Sequence, residues 1–142
     1  MEVECGTIPT VEDFDAVLKF KPILDRLLPD EVCRWEGGER SESGSIILPS
    51  AVYAEEVHDF TQALYDHRFI QPYDWGSWQE EAVRYFEQPQ LVAQADLMTC
   101  IKLLTLHVRK ERFCEGHLDG MITSGHITAI LKRLEILKAS ME

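Results

Sequence analysis

The apolar residues of the last third of the chain recur every three or four positions, which is the spacing of one face of an α-helix. The first such segment follows Asp96, a predicted N-cap, with stripe positions Leu97, Ile101, Leu104, Thr105 and Val108. The second has its stripe at Ile127, Ile130, Leu131, Leu134 and Leu137. Amphipathic helices must cover their apolar faces with other elements, so we expect a mainly α (α+β) fold with a C-terminal group of packed helices.

The beginning of the chain predicts a helix followed by a small N-terminal β-hairpin. Thr10 with Asp13 is a helix N-cap pattern, Pro22 should restart that helix, and Pro29 should end it. The stretch "EVCRWE" (31–36) alternates like a strand, and "SIILP" (45–49) predicts a second strand after a polar, glycine-containing loop.

Two further helices are predicted before the C-terminal group. Ser50 can cap a helix that runs to Asp66. Ser77 with Glu80 is a capping-box pattern that would open a short helix ending before Pro89.

Length and composition predict one compact domain over residues 1–142. Residues 1–74 would supply a helix, the hairpin and a helix, and residues 75–142 the helical group. The 45% hydrophobic and 27% charged residues are typical of a globular protein. No apolar run approaches the roughly 20 residues of a membrane span, and "MEVECGTIPT" lacks the features of a signal peptide. We expect a cytoplasmic protein that has no membrane partner.

The net charge of −11 argues against nucleic acid as a partner. Residues 1–88 contain 19 acidic and seven basic side chains, whereas residues 89–142 contain six acidic and seven basic ones. A helix-turn-helix within residues 116–137 has suitable lengths, but its second helix is too apolar to read bases. We therefore expect no nucleic-acid partner.

The segment "RFCEGHLDGMITSGHI" (112–127) concentrates residues that can carry chemistry. Cys114, His117 and His126 form only part of a zinc-ligand pattern, because no second Cys or His pair completes it. Cys114 could be a nucleophile activated by the neighbouring cations, but no orienting third residue can be named. We therefore predict no metal, no cofactor and no catalytic residue.

Anion binding is the best supported chemistry in this segment. The last helix should begin near His126, where free backbone N–H groups favour a phosphate or carboxylate. Arg109 and Arg112 are close in sequence and can bind such an anion bidentately. The predicted ligand-binding residues are Arg109, Arg112, His117 and His126.

Six of the 13 aromatic residues lie between positions 69 and 86, partly in a predicted loop. Such clusters commonly join a loop to the core, and exposed ones anchor partner proteins. Tyr73, Trp75 and Trp78 are the predicted partner-binding residues.

The segment from Trp75 to Leu134 resembles a family of small bacterial and archaeal proteins of unknown function. The resemblance lies in Trp78, residues 95–97, "LLTLHVRKERFCEGHL" (103–118) and "SGHITAILKRL" (124–134). It implies a shared fold unit and a prokaryotic source, and it implies no activity, cofactor or partner.

The function predicted from sequence is a non-enzymatic protein-interaction or regulatory module. The alternative is a binder, or an enzyme, of a small anionic or phosphorylated ligand at residues 109–126. The sequence is thus compatible with a protein partner and with a small anionic ligand, and it does not determine the oligomeric state.

Overall fold

A computed structural model describes residues 8–37, 42, 44 and 50–141, and its architecture is mainly helical. In chain order the elements are α1 (Val11–Leu18), α2 (Lys21–Arg26), α3 (Pro29–Val32), β1 (Cys33–Glu36), β2 (Ser50–Tyr53), α4 (Glu55–Asp66), a 3₁₀ turn (Gly76–Trp78), α5 (Gln79–Glu87), α6 (Pro89–Val92), α7 (Leu97–Lys110), α8 (His117–Thr123) and α9 (His126–Ala139). The predicted mainly α fold with a small hairpin near the N-terminus is confirmed.

The strands β1 and β2 form a two-stranded antiparallel sheet in which Cys33 pairs with Tyr53 and Glu36 with Ser50. The predicted second strand, residues 45–49, lies outside the described residues. The prediction that Ser50 caps a helix running to Asp66 was wrong at its start, because residues 50–53 pair with β1 and α4 begins only at Glu55. The backbone N–H of Ala54 donates to the carbonyl of Val32 at 3.0 Å and so extends the pairing to the start of α4.

Two of the predicted helix caps are present. The N–H of Asp13 donates to Oγ1 of Thr10, and the N–H of Thr99 donates to Oδ1 of Asp96 at 2.8 Å. The predicted capping box at Ser77 was wrong: Ser77 lies inside the 3₁₀ turn, where Asp74 accepts its N–H, and α5 begins only at Gln79.

Helices α7 and α9 lie at the centre of the core. Helix α9 packs against α1, α2, α6, α7 and α8. Within α7, all of residues 103–108 are buried, so this stretch has no face toward solvent.

Among the described residues, no helix is long and apolar enough to cross a bilayer.

Candidate functional site

The complete burial of the middle of α7 places a histidine inside the protein. His107 is only 3% exposed, and its neighbours Leu106 and Val108 are buried with it. A buried imidazole that lacks hydrogen-bond partners would cost the fold free energy, so both of its ring nitrogens must find partners.

The partners of His107 are two other histidines. Its Nδ1 lies 2.9 Å from Nε2 of His117, the first residue of α8. Its Nε2 lies 3.1 Å from Nε2 of His126, the first residue of α9. The three rings form a row with His107 in the middle, which we call the histidine chain. The histidine chain connects the starts of α8 and α9 to the central helix α7.

The surroundings favour the neutral form of each imidazole. Burial lowers the pKa of His107 well below its ordinary value, and His126, His117 and Lys110 lower it further. Burial, with His117 nearby, lowers the pKa of His126 to about 4. The pKa of His117 is lowered by burial and by the Lys110 ammonium, although Glu111 acts in the opposite direction. The histidine chain is therefore uncharged at neutral pH.

The geometry of the histidine chain differs from that of a metal centre. Within residues 8–37, 42, 44 and 50–141, no group of three His, Cys, Asp or Glu side chains is arranged to hold a metal ion. The two nitrogens of His107 lie on opposite sides of its ring, so a single ion could contact only one of them. Cys114, the third residue of the zinc-like pattern, is exposed on the loop before α8.

A small cavity lies beside His107 and His117, between helices α5, α7 and α8. Its volume is about 100 Å³. Its apolar lining consists of Ala82, Val83, Phe86, Leu106 and Met121, and its polar lining of Gln79, His107, Lys110 and His117. The Lys110 ammonium has no salt-bridge partner in the described part of the chain. The cavity therefore combines apolar walls with one positive charge.

The loop between α7 and α8, residues 111–116, is held by the carboxylate of Glu111. Its Oε1 accepts hydrogen bonds from the phenol of Tyr53 at 2.7 Å and from the N–H of Leu118 at 2.8 Å. Its Oε2 accepts the N–H of Gly116 at 2.9 Å. One side chain thus satisfies two free backbone donors at the start of α8 and ties the loop to the end of β2.

The hairpin makes further contacts with the same loop. The N–H of Ala51 donates to Oε1 of Glu115 at 2.9 Å. Gly116 has a positive φ of 93°, and the ring of Trp35 packs so closely that a Cβ at Gly116 would lie 2.7 Å from Cζ2 of Trp35. Glycine is required at this position by both its backbone conformation and its packing.

The fixed loop presents an aromatic side chain to solvent. Phe113 is 75% exposed. Its ring lies 5.9 Å, between centroids, from that of Trp75, which is half-buried. We call Trp75 and Phe113 the aromatic pair.

Comparison with known protein families gives one result. The model of a family of unknown function, DUF6508, matches residues 9–140. The chain belongs to this family. The DUF6508 match includes the hairpin and α1, and so extends beyond the residues 75–134 on which the resemblance rested. No curated protein and no solved structure is significantly similar to the chain.

The four predicted ligand-binding residues of this DUF6508 protein have different surroundings. His117 and His126 both contact His107, and His117 also lines the cavity. Arg112 is exposed, and Arg109 is half-buried with its Nε lacking a hydrogen-bond partner among the described residues. Neither arginine lines the cavity, whose positive charge comes from Lys110.

A second cavity, of about 260 Å³, lies at the start of α9, where the sequence predicted an anion. The charged side chain in its lining is Asp25, whose Oδ1 accepts a hydrogen bond from Thr128 at 3.0 Å. Lys21 lies 3.6 Å from the same carboxylate. A carboxylate at this helix start occupies the position favoured for an anion and opposes the binding of a second one.

The predicted partner-binding aromatics contact the rest of the protein. The phenol of Tyr73 donates to the carbonyl of Lys102 at 2.6 Å, and its ring meets Trp78 edge-on. Trp78 also stacks on Tyr85 with a centroid distance of 6.0 Å. Of the three, Trp75 is the one that contacts an exposed aromatic ring.

Sequence reasoning did not identify His107, Glu111 or Tyr53 as site residues. A signal for His107 was present, since this histidine lies within "LLTLHV", directly between the apolar residues Leu106 and Val108. No comparable signal existed for Tyr53 and Glu111, because their contact joins residues 58 positions apart.

Proposed function

We propose that this DUF6508 protein is a non-enzymatic protein-interaction or regulatory module of the cytoplasm, and that the aromatic pair is its main partner contact. The observation that supports this proposal is the 75% exposure of Phe113 on a loop held in place by other side chains. Contiguous exposed apolar surface marks interaction sites, and aromatic side chains are enriched at the centre of protein–protein interfaces.

The hydrogen bonds of the loop strengthen the proposal. The Glu111 carboxylate accepts the N–H of Gly116 within the loop, and the Glu115 carboxylate accepts the N–H of Ala51 in the hairpin, so the loop is anchored before a partner arrives. A preorganised loop loses little conformational entropy on binding, which leaves more of the contact energy for affinity. Arg112 is exposed next to Phe113, so a partner with an apolar side chain beside an acidic one fits this surface.

The test compares Phe113→Ser with Ile136→Ser. Ile136 is also exposed, at 52%, but lies on α9 and serves as the matched control. Proteins that co-purify with the wild type from its source cell are quantified for each variant. We expect Phe113→Ser to reduce the recovery of the specific partner at least about tenfold, a change of roughly 1.4 kcal/mol, and Ile136→Ser to preserve it. Equal recovery of every partner with both variants contradicts the proposal.

A second candidate function is the binding of a small anionic ligand within residues 109–126. It is supported by the cavity that joins Lys110 and His117 to apolar walls. A ligand that binds only the folded state at 100 times its Kd should add about 2.7 kcal/mol to the free energy of unfolding. Thermal-shift measurements with small carboxylates and phosphates test this function, and the absence of a shift with any of them contradicts it.

A further inference from the structure

We propose that the cavity beside His107 and His117 binds a monocarboxylic acid with a short apolar body, and that the bound carboxylate selects one of two proton arrangements of the histidine chain. This inference rests on the second candidate function and names both its ligand class and a consequence of binding.

The charge of the ligand follows from the polar lining of the cavity. Lys110 supplies one positive charge and is not paired with a carboxylate of the described chain. The imidazoles of His107 and His117 are neutral and can only donate or accept hydrogen bonds. One cation with a neutral donor matches a monoanion better than a phosphate dianion, which needs more donors.

The size and shape of the ligand follow from the apolar lining. Ala82, Val83, Phe86, Leu106 and Met121 enclose a space of about 100 Å³. An apolar protein cavity of about 150 Å³ holds one benzene molecule with six carbon atoms, so this smaller space suits a body of roughly four carbon atoms. A branched short-chain acid or an aromatic acid with its ring partly in the opening meets this limit.

The histidine chain can hold its protons in two ways. Each of the two N···N contacts needs one proton, and a neutral His107 carries only one. If His107 donates from Nδ1 to His117, it must accept at Nε2 from the Nε2–H of His126. If His107 donates from Nε2 to His126 instead, it must accept at Nδ1 from the Nε2–H of His117.

A bound carboxylate distinguishes these two arrangements. Because Nε2 of His117 faces His107, the ring nitrogen of His117 left for a ligand is Nδ1. A carboxylate can only accept, so it favours His117 with its proton on Nδ1. Nε2 of His117 then accepts from His107, which in turn accepts from Nε2–H of His126. Relative to the other arrangement, a proton from water is gained at Nδ1 of His117 and one is lost to water from Nδ1 of His126, with no change in total charge.

The experiment uses the full chain labelled with ¹⁵N-histidine and with ¹³C-methyl methionine. Met121 lines the cavity, and Met98, elsewhere on α7, is an internal control. The probes are isovalerate, benzoate, the neutral isostere isovaleramide and inorganic phosphate, each added up to about 10 mM, above the millimolar Kd expected of a very small ligand.

We expect isovalerate or benzoate to shift the Met121 methyl signal and to change the ¹⁵N shifts of His117 and His126 together. Isovaleramide should bind at least about tenfold more weakly. Lys110→Met should weaken carboxylate binding by a similar factor, whereas Lys132→Met, at an exposed position of α9, should leave it unchanged. An unaltered Met98 signal in each variant shows that its fold is intact.

Three results would overturn the inference in different ways. If phosphate shifts Met121 and the carboxylates do not, the anion-binding function stands and the ligand class is wrong. If the carboxylates bind while the signals of His126 stay unchanged, the coupling through the histidine chain is wrong. If no probe shifts Met121, both the inference and the second candidate function are wrong.

Discussion

The phenol of Tyr53 donates a hydrogen bond of 2.7 Å to the carboxylate of Glu111, across 58 positions of sequence. Tyr53 ends β2, and Glu111 begins the loop between α7 and α8. Burial and the neighbouring Glu111 carboxylate raise the pKa of Tyr53 well above its ordinary range, so the phenol keeps its proton and remains a donor. This bond joins the hairpin to the loop that presents Phe113.

Replacing Glu111 with Ala should destabilise the protein substantially. The change leaves the phenol of Tyr53 and the N–H groups of Gly116 and Leu118 without their acceptor. Lost hydrogen bonds to a charged group cost about 1.5–3 kcal/mol in typical cases, so we expect the free energy of unfolding to fall by about 3 kcal/mol. Urea denaturation measures the change.

Glu115→Ala is the matched control for this prediction. The Glu115 carboxylate accepts one exposed hydrogen bond, from Ala51, and its loss should cost about 0.5–1 kcal/mol. Similar losses for the two variants would show that Glu111 does not hold the loop.

The histidine chain should make the protein less stable in mild acid. His126 has an ordinary pKa of 6.5 and a folded-state pKa of about 4, so between these values the unfolded chain binds a proton that the folded protein does not. Stability from this group is therefore fully present above pH 6.5 and is lost as the pH falls toward 4. The difference of about 2.5 units between these two pKa values corresponds to a loss of about 3 kcal/mol from the free energy of unfolding, at 1.36 kcal/mol per pKa unit. The lowered pKa of His107 acts in the same direction.

His126→Gln tests this prediction, because glutamine keeps a hydrogen-bonding group near His107 but does not titrate. We expect the variant to lose much of the decrease in unfolding free energy between pH 6.5 and 4, as followed by chemical denaturation at each pH. Asp13 and Asp96 have pKa values lowered from 3.8 and therefore titrate below pH 4. The raised pKa of Asp119 has the opposite effect to the histidines, because it makes the folded protein more stable as the pH falls. An unchanged pH dependence in His126→Gln would contradict the assignment.

Two glycines of the 112–127 segment should respond to alanine in opposite directions. Gly116 has a φ of 93°, and a Cβ there would lie 2.7 Å from the Trp35 ring, so Gly116→Ala should cost about 2 kcal/mol. Gly120 lies within α8 and has no atom within 4 Å of an added Cβ. Gly120→Ala should therefore raise the free energy of unfolding by about 0.5–1 kcal/mol. Thermal denaturation of both variants checks the prediction, and a loss in Gly120→Ala would contradict it.

The helices of the C-terminal half could be predicted because their boundaries depend on neighbouring residues. Asp96 caps α7, and Gly125, with a φ of 86°, separates α8 from α9. The start of α4 could not be predicted in this way. Ser50 is a good N-cap residue, but tertiary pairing with Glu36 placed it in a strand.

The candidate site was predicted only in part, because its central residue, His107, lies outside the segment 112–127. His117 and His126 were identified, whereas His107 joins them from α7, where the sequence shows a histidine among apolar residues but not which residues it contacts. The cation of the cavity is Lys110 and not the neighbouring Arg109. Which of these two adjacent side chains faces the cavity depends on the angle at which α5 and α8 pack against α7. Sequence spacing does not determine that angle.

The ties between the hairpin and the α7–α8 loop have a consequence for local opening. The N–H groups of Gly116 and Leu118 belong to a surface segment, yet they are released only when Glu111 leaves its position beside Tyr53. Hydrogen exchange should therefore give their amides the same free energy of opening as the N–H of Ala54, which closes the hairpin. The strands and the loop would then behave as one cooperative unit that opens as a whole, although more than 50 residues separate them in sequence.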